Sequence, residues 1–320
     1  SAAETIARYL KTEHTNIALS SSAALDLTMS LPEVYDEPFA DAAQLPALMV
    51  CRAARSVVKV ALTGDAGDEL FHGYSRYFSA AHLWPWVSSW PANARHWLFK
   101  QAAKMAERLP PSGPGRMLIR QSDRLSAPNA LSYAAALMQF PGARLASLSE
   151  RMNDPAWPPL SDSLKNAALE EQMRYLDQAF ALPEGIHVKL DRASMRAGLE
   201  LRVPLLDSRL LELSWRLPLQ WHTRKGTGKC LLRELAAAQL PPEVATQRKH
   251  GFNVPVAQWL RGPLRQWAAQ LLDIKELAQS PWLNAPRIER MFAMHQSGKA
   301  DYGYALWAIL MFRLWDLHYG

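Results

Sequence analysis

Three carboxylates and two glycines crowd into one short run, Thr63-Gly64-Asp65-Ala66-Gly67-Asp68-Glu69. Such a density of negative charge would repel itself in a plain turn. Glycines three apart let the backbone turn through positive φ and bring its N–H groups close to a ligand. Oxygen ligands of this kind suit a divalent cation, and a cation in turn suits a phosphate. A structural role competes with this one. Asp65 or Asp68 would serve as the N-cap of a helix running from Glu69, with Glu69 favoured by the helix macrodipole. The run by itself leaves capping and metal work both open.

The elements around the run decide what it can reach. Val57, Val58, Val60 and Leu62 precede it, a β-branched apolar series that predicts a strand buried on both faces. Open α/β sheets bind ligands beyond the carboxyl ends of their strands, which is where the Gly/Asp run lies. Upstream, residues 2–10 read as an amphipathic helix and Asn16-Ile17-Ala18-Leu19 as a brief strand. A helix over 23–31 with serine caps follows, and then an acidic loop with two prolines over 31–41. A helix over 43–55 returns the chain to the Val57 strand, so strand, helix and strand imply a parallel, right-handed crossover.

Residues 78–170 are rich in Trp, Pro, Ala and Arg and read as short helices, with Trp84, Trp86 and Trp90 as packing residues. A helix over 170–182 is expected to break at Leu182-Pro183-Glu184-Gly185, and another follows over 186–199. Asp207 is placed as an N-cap after the turn on Pro204. A helix over 228–240 carries Lys229 and Arg233 on one face. Arg248-Lys249-His250-Gly251-Phe252 is a basic loop, and an amphipathic helix through Trp259 and Leu260 opens a helical remainder.

Composition excludes several classes. With 320 residues and 49% apolar content the chain holds a sizeable core, in one large or two modest domains. The net charge of +6 is spread along the chain rather than clustered in the basic stripe of a nucleic-acid binder. ATP satisfies a basic balance equally well. Cys51 and Cys230 stand alone, without CxxC spacing, as reduced structural thiols. The apolar run 305–312 is too short to span a bilayer and reads as a core helix. A cytoplasmic enzyme without nucleic-acid or membrane partners is the expectation.

The segment TGDAGDELFHGYSRY resembles the asparagine synthetase family, whose corresponding segment reads close to SGDGGDELFGGYxRY. Thr63, Ala66 and His72 depart from it, standing for Ser, Gly and Gly. Ala66 narrows the backbone freedom of the loop, and His72 brings bulk where the family has none. The acidic loop YDEPFADAAQLP resembles the family's YDEPFADSSQIP, with Ala42 and Ala43 replacing two serines. Residues 187–218 resemble LLVKVDRxSMxxSLEVRVPFLDxxLVEFAxxLP, and residues 229–260 resemble KxLLREAxxxxLPxxIxxRxKxGFxxPxxxWL. Together these blocks cover most of the chain apart from the helical insert.

The resemblance implies an α/β fold: a partial parallel sheet of the adenine-nucleotide α-hydrolase-like (PP-loop ATPase) type with a large, mostly helical remainder. It implies a single incomplete synthetase domain, with 1–77 the residual α/β core, 78–170 a variable helical insert and 171–320 a helical part carrying the Glu200 and Lys249 motifs. The family reaction adenylates a carboxylate with ATP and lets ammonia from glutamine attack the acyl carbon, giving asparagine, AMP and pyrophosphate. By this likeness Asp68 binds Mg2+, and Asp65 and Glu200 lie beside the reacting acyl group. Lys249 reaches the α-phosphate, and Thr63, Gly64, Asp65, Gly67 and Lys249 bind ATP. Asp191 and Arg192 match a DR pair of structural rank.

Two strings imitate phosphate loops. Gly226-Thr227-Gly228-Lys229 echoes the end of a Walker A motif, but Thr223 stands where glycine is required and Cys230 where Ser or Thr would hold magnesium. Ser297-Gly298-Lys299-Ala300-Asp301 faintly echoes the family's SGGxDS pyrophosphate loop but lacks its second glycine and a preceding strand. The family carries that loop, and a glutaminase domain, ahead of the helix where this chain begins. The chain therefore reads as a truncated piece of a longer protein, inactive alone. Two other readings stand beside this one: an amidotransferase with another carboxylate acceptor, as in surface polysaccharide assembly, and an inactive scaffold homologue. The acceptor, and whether the protein forms a homo-oligomer, are left open.

Overall fold

The structure, a computed structural model, describes residues 2–17, 21–106, 124–138, 160–224, 226–241 and 254–320. It is a mostly helical α/β chain that divides into two compact units. The first combines Ser1–Ser20, Pro46–Phe78 and Glu170–Asn253, and the second Ser21–Leu45, Ser79–Leu169 and Val254–Gly320.

The first unit holds a two-stranded parallel sheet, β1 (Val60–Leu62) and β2 (Glu200–Arg202). Val60 pairs with Glu200, Ala61 with Leu201 and Leu62 with Arg202. Glu200 N donates to Lys59 O at 2.9 Å and Thr63 N to Arg202 O at 2.9 Å, which extends the ladder past both ends. Among the described residues the partner of β1 is thus the LELRV segment. Asn16 and Ile17 have no strand structure, and Ala18 and Leu19 lie outside the described residues.

β1 also departs from the expected buried strand. Val57 is 82% exposed and Leu62 72%. Strand propensity and burial are separate properties: β-branched residues fit a pleated ribbon, but burial needs a second layer. Among the described residues none covers these side chains.

Behind the sheet the chain coils without the expected break. The helix Leu169–Leu176 runs into a π-helix, Asp177–His187, that passes through Pro183 and Gly185 before the α-helix Val188–Ala197. A wider turn accommodates a proline that would clash with the preceding turn of an α-helix. Ala193 and Leu199 are buried beneath, and Gly198 ends the helix at φ 70°. Asp207 caps the helix Ser208–Arg216, accepting from Arg209 N at 2.9 Å.

The second unit is helical. The apolar run 305–312 lies within the helix Gly303–Tyr319, where Leu306, Trp307 and Leu310 are completely buried. Each such leucine contributes about 1.5–3 kcal/mol. The acidic segment after Leu31 does not stay a loop. Leu31–Tyr35 forms a short helix with Pro32 in its first turn, where the missing N–H costs nothing, and it packs on Gly303–Tyr319. Trp84 lies 5.2 Å from Tyr133 as a packing residue, but Trp86 and Trp90 are exposed. Among the described residues no helix is long and apolar enough to cross a membrane.

Candidate active site

The chain leaves β1 at Thr63 and turns straight into the short helix Gly67–Leu70. Neither Asp65 nor Asp68 caps it. The N-cap is Ala66, at φ 70°, with no side-chain cap hydrogen bond among the described residues. The positive φ falls on Ala66 rather than on Gly64 or Gly67. A left-handed alanine costs about 1–2 kcal/mol relative to its usual regions. With capping removed, the two aspartates are left for other work.

Asp68 pairs with Lys229, whose Nζ lies 2.8 Å from its Oδ1. This pairing depends on close approach of two glycines. A Cβ on Gly73 would sit 1.8 Å from Asp68 Oδ1, and one on Gly228 would sit 1.7 Å from His72 O. Lys229 N donates to Phe71 O at 2.8 Å, and Lys229 itself is held at φ 58°. The string rejected as a Walker motif therefore docks its lysine on the Gly/Asp run by a different geometry. The sequence places Lys229 on a helix face and at the end of the Walker-like string, without linking it to the Gly/Asp run. The signal was the glycine pair, Gly226 and Gly228, immediately before it.

Glu69 points the other way. It is 2% exposed, its backbone O accepts from Gln178 Nε2 at 2.9 Å, and its carboxylate accepts from Tyr74 OH. Burial pushes the Glu69 carboxyl up, against the lowering effect of the Tyr74 hydroxyl. Asp177, at the start of the π-helix, accepts from Tyr77 OH and from Arg76 Nη2 at 2.5 Å. Arg76 lies over the Tyr74 ring, 3.5 Å from its centroid. The family-like GYxRY residues thus clamp the Gly/Asp run to the π-helix.

Next to the clamp lies a strained, buried polar cluster. His72 is fully buried at φ 55°, with no hydrogen-bond partner at either ring nitrogen among the described residues. Its ring centroid lies 4.8 Å from that of His222, and the buried Arg174 donates to Ser214 O at 3.0 Å. Burial, with the Arg174 charge adding to it, pushes the His72 imidazole down to about 3. Both glycine positions of the family segment that this chain replaces, Ala66 and His72, therefore have left-handed backbone.

The remaining site residues are placed as follows. Glu200 opens β2 opposite Val60, and its exposed carboxylate accepts from Arg202 Nε at 2.8 Å rather than meeting Asp65 or Asp68. Thr63 Oγ1 is buried without a hydrogen-bond partner among the described residues, and His187 Nε2 likewise. Burial pushes the His187 imidazole down, with the Asp65 charge opposing it. Lys249 lies outside the described residues. A cavity of about 570 Å³ lies behind Leu70, walled by Tyr175, Leu182, Leu206 and Trp215, but none of Thr63, Asp65, Asp68 or Glu200 lines it.

A sequence model of asparagine synthase matches residues 1–317. The chain belongs to the asparagine synthase family. It is 30% identical over 297 residues to asparagine synthetase [glutamine-hydrolyzing] 1 of Bacillus subtilis, covering 89% of this chain and 45% of that protein. It is 30% identical over 306 residues to a putative asparagine synthetase [glutamine-hydrolyzing] of Mycobacterium tuberculosis, covering 91% of this chain and 44% of that one. A third relative, asparagine synthetase [glutamine-hydrolyzing] 3 of Bacillus subtilis, is 23% identical over 282 residues. The chain spans about half the length of the relatives it matches.

Among the described residues no three His, Cys, Asp or Glu side chains gather as a metal cage. Magnesium does not need one, since it is commonly held by one or two carboxylates together with substrate phosphates. Asp68 beside a lysine, the orphaned Thr63 hydroxyl and the exposed backbone of Gly64 fit a metal-bound nucleotide.

Proposed function

We propose that the full-length protein is an ATP-dependent amidotransferase of the asparagine synthetase type. It adenylates the side-chain carboxylate of aspartate, or of a related acceptor, and passes glutamine-derived ammonia to the acyl carbon. The reading includes a PP-loop-like parallel sheet, a separate glutaminase domain and a cytoplasmic location, which fits two buried, unbridged cysteines. The observation that carries it is the Gly/Asp run at the carboxyl end of β1, with Asp68 uncommitted to capping and paired to Lys229.

In this reading Asp68 would hold Mg2+, which would neutralise phosphate charge. Lys229, now balancing Asp68, is the cation next to that position and faces the phosphate oxygens once nucleotide enters. Thr63 Oγ1 and the backbone at Gly64 and Gly67 hydrogen-bond the nucleotide. Lys249 meets the α-phosphate, where negative charge grows as the acyl-adenylate forms. Asp65 and Glu200 orient the incoming amine and take up its proton. Release of Glu200 from Arg202 accompanies binding.

The test is formation of asparagine from aspartate, glutamine and ATP by the full-length protein. AMP and pyrophosphate should appear in equal amounts with the amide. Asp68→Asn should lower kcat at least about 100-fold with the fold retained. Product as ADP and phosphate, or an Asp68→Asn enzyme at wild-type rate, would contradict the reading.

A further inference from the structure

Two consecutive helices are apolar on the side turned to solvent as well as on the side that packs. In Ser75–Ser88 the packed positions are Tyr77, Ala80, Trp84 and Val87, a spacing of three, four and three that marks one helix face, with Trp84 against Tyr133. The opposite face carries Leu83 and Trp86, and Trp90 follows just past the helix end. All three are exposed, Trp86 to 62%. In Ala92–Ala106, Arg95 is buried, whereas Trp97, Leu98 and Met105 are exposed, Trp97 to 65%. These outward residues all belong to the second unit.

The turn that joins the helices is pinned. Arg95 donates from Nε to Trp90 O at 3.0 Å, and from Nη1 to Leu125 O at 3.1 Å and Ala127 O at 2.9 Å. Its guanidinium also lies 5.6 Å from the Trp84 ring centroid. The one buried charge of this region is thus committed to backbone carbonyls and an indole, and the outward tryptophans stand on a fixed base.

Charge is equally one-sided. From Leu70 through Ala106 there is no Asp or Glu, while Arg76, Arg95, Lys100 and Lys104 fall in the same stretch. Lys100, His82 and His96 are exposed. Outward indoles, a lysine and no carboxylate make the composition of helices that lie at a bilayer interface. Indole suits that boundary because its body is apolar and its N–H still finds a partner among the headgroups. Single-stranded nucleic acid also stacks on aromatic rings, but its affinity needs several cations along a groove. Among the described side chains of these two helices there is one exposed lysine and no exposed arginine.

We propose that this helix pair docks the protein on an anionic lipid surface, with Trp86, Trp90 and Trp97 entering the headgroup boundary. The indoles supply apolar burial, and Lys100 supplies attraction to lipid phosphate. Docking of this kind crosses nothing, in keeping with the absence, among the described residues, of a helix long and apolar enough to span a bilayer. The inference stands apart from the adenylation reading, since none of these residues belongs to the Gly/Asp site.

The experiment is co-sedimentation of the full-length protein with vesicles of phosphatidylcholine, alone or mixed with equal parts of phosphatidylglycerol. The protein should partition onto the mixed vesicles and far less onto phosphatidylcholine. Trp86→Ser, Trp90→Ser and Trp97→Ser together should lower that partition at least about tenfold, and Lys100→Glu several-fold. The three tryptophans are exposed, so thermal unfolding of the triple variant should match that of the wild type. Lipid brominated in its acyl chains should quench part of the wild-type tryptophan emission and less of the variant's, which reads insertion directly. No partition onto the mixed vesicles, equal partition of the triple variant, or equal binding to both kinds of vesicle overturns the proposal. So does a surface that binds a single-stranded oligonucleotide, or a second copy of the chain, through these tryptophans while ignoring the vesicles.

Discussion

Two histidines, one in each unit, are completely buried, and they are treated in opposite ways. His295, in the helical unit, is fully satisfied: its Nε2 lies 3.1 Å from Ala257 O, to which it donates, and its Nδ1 accepts from Tyr302 N at 3.2 Å. His72, beside the Gly/Asp run, has a left-handed backbone and no partner at either nitrogen among the described residues. Ala66, His72 and Lys229 belong to the same small region, and the other non-glycine residues with positive φ among those described are Lys11 and Asp36. A buried polar group is normally paired, because desolvation without a hydrogen bond is costly. Of these two histidines, the one that packs helices meets that rule and the one beside the carboxylates departs from it. Strain and unmet polarity of this kind gather where a ligand is to be held.

The largest expected consequence is in acid. The His72 pKa in the folded state, about 3, is far below that of an unfolded histidine near 6.5. The unfolded chain therefore binds more protons between these values, so stability is fully present above about pH 6.5 and is lost as pH falls toward 3. His222, also pushed down by burial, adds to the loss. Urea unfolding at a series of pH values should show a decline of several kcal/mol, and His72→Asn should flatten it, since Asn tolerates the left-handed backbone. An unchanged pH slope in His72→Asn would break the contrast. His295→Asn sharpens it. That change should cost roughly 1–3 kcal/mol near neutral pH by removing hydrogen bonds already made.

The smallest effect belongs to Ala66. Ala66→Gly should raise stability by up to about 1 kcal/mol, as relief of a left-handed alanine outweighs the added freedom of glycine in the unfolded chain. Thermal unfolding measures it, and a loss of stability would show that the Ala66 methyl, packed beside Leu70 and Leu182, contributes more than its backbone costs.

Much of this was legible in the residues. The helix over 2–10, the Asp207 cap, the buried helix over 305–312 and the placement of the Gly/Asp run after a strand all follow from local pattern, because each is decided by neighbours close in sequence. The partner of β1 was not legible, since pairing Val60 with Glu200 is a long-range choice that no local period encodes. Pro183 signalled a break that a π-turn absorbs. At the site, Asp65 and Asp68 were read from type and spacing, whereas Lys229 was not. Its place depends on a segment more than a hundred positions away folding back onto the loop.

The most direct test of the central claim follows oxygen. Aspartate labelled with heavy oxygen in its β-carboxylate should be incubated with ATP, ammonia and the full-length protein, and the AMP examined by mass spectrometry. Adenylation predicts one labelled oxygen transferred to the phosphate of AMP. Asparagine formed with unlabelled AMP, or with ADP in its place, would contradict it.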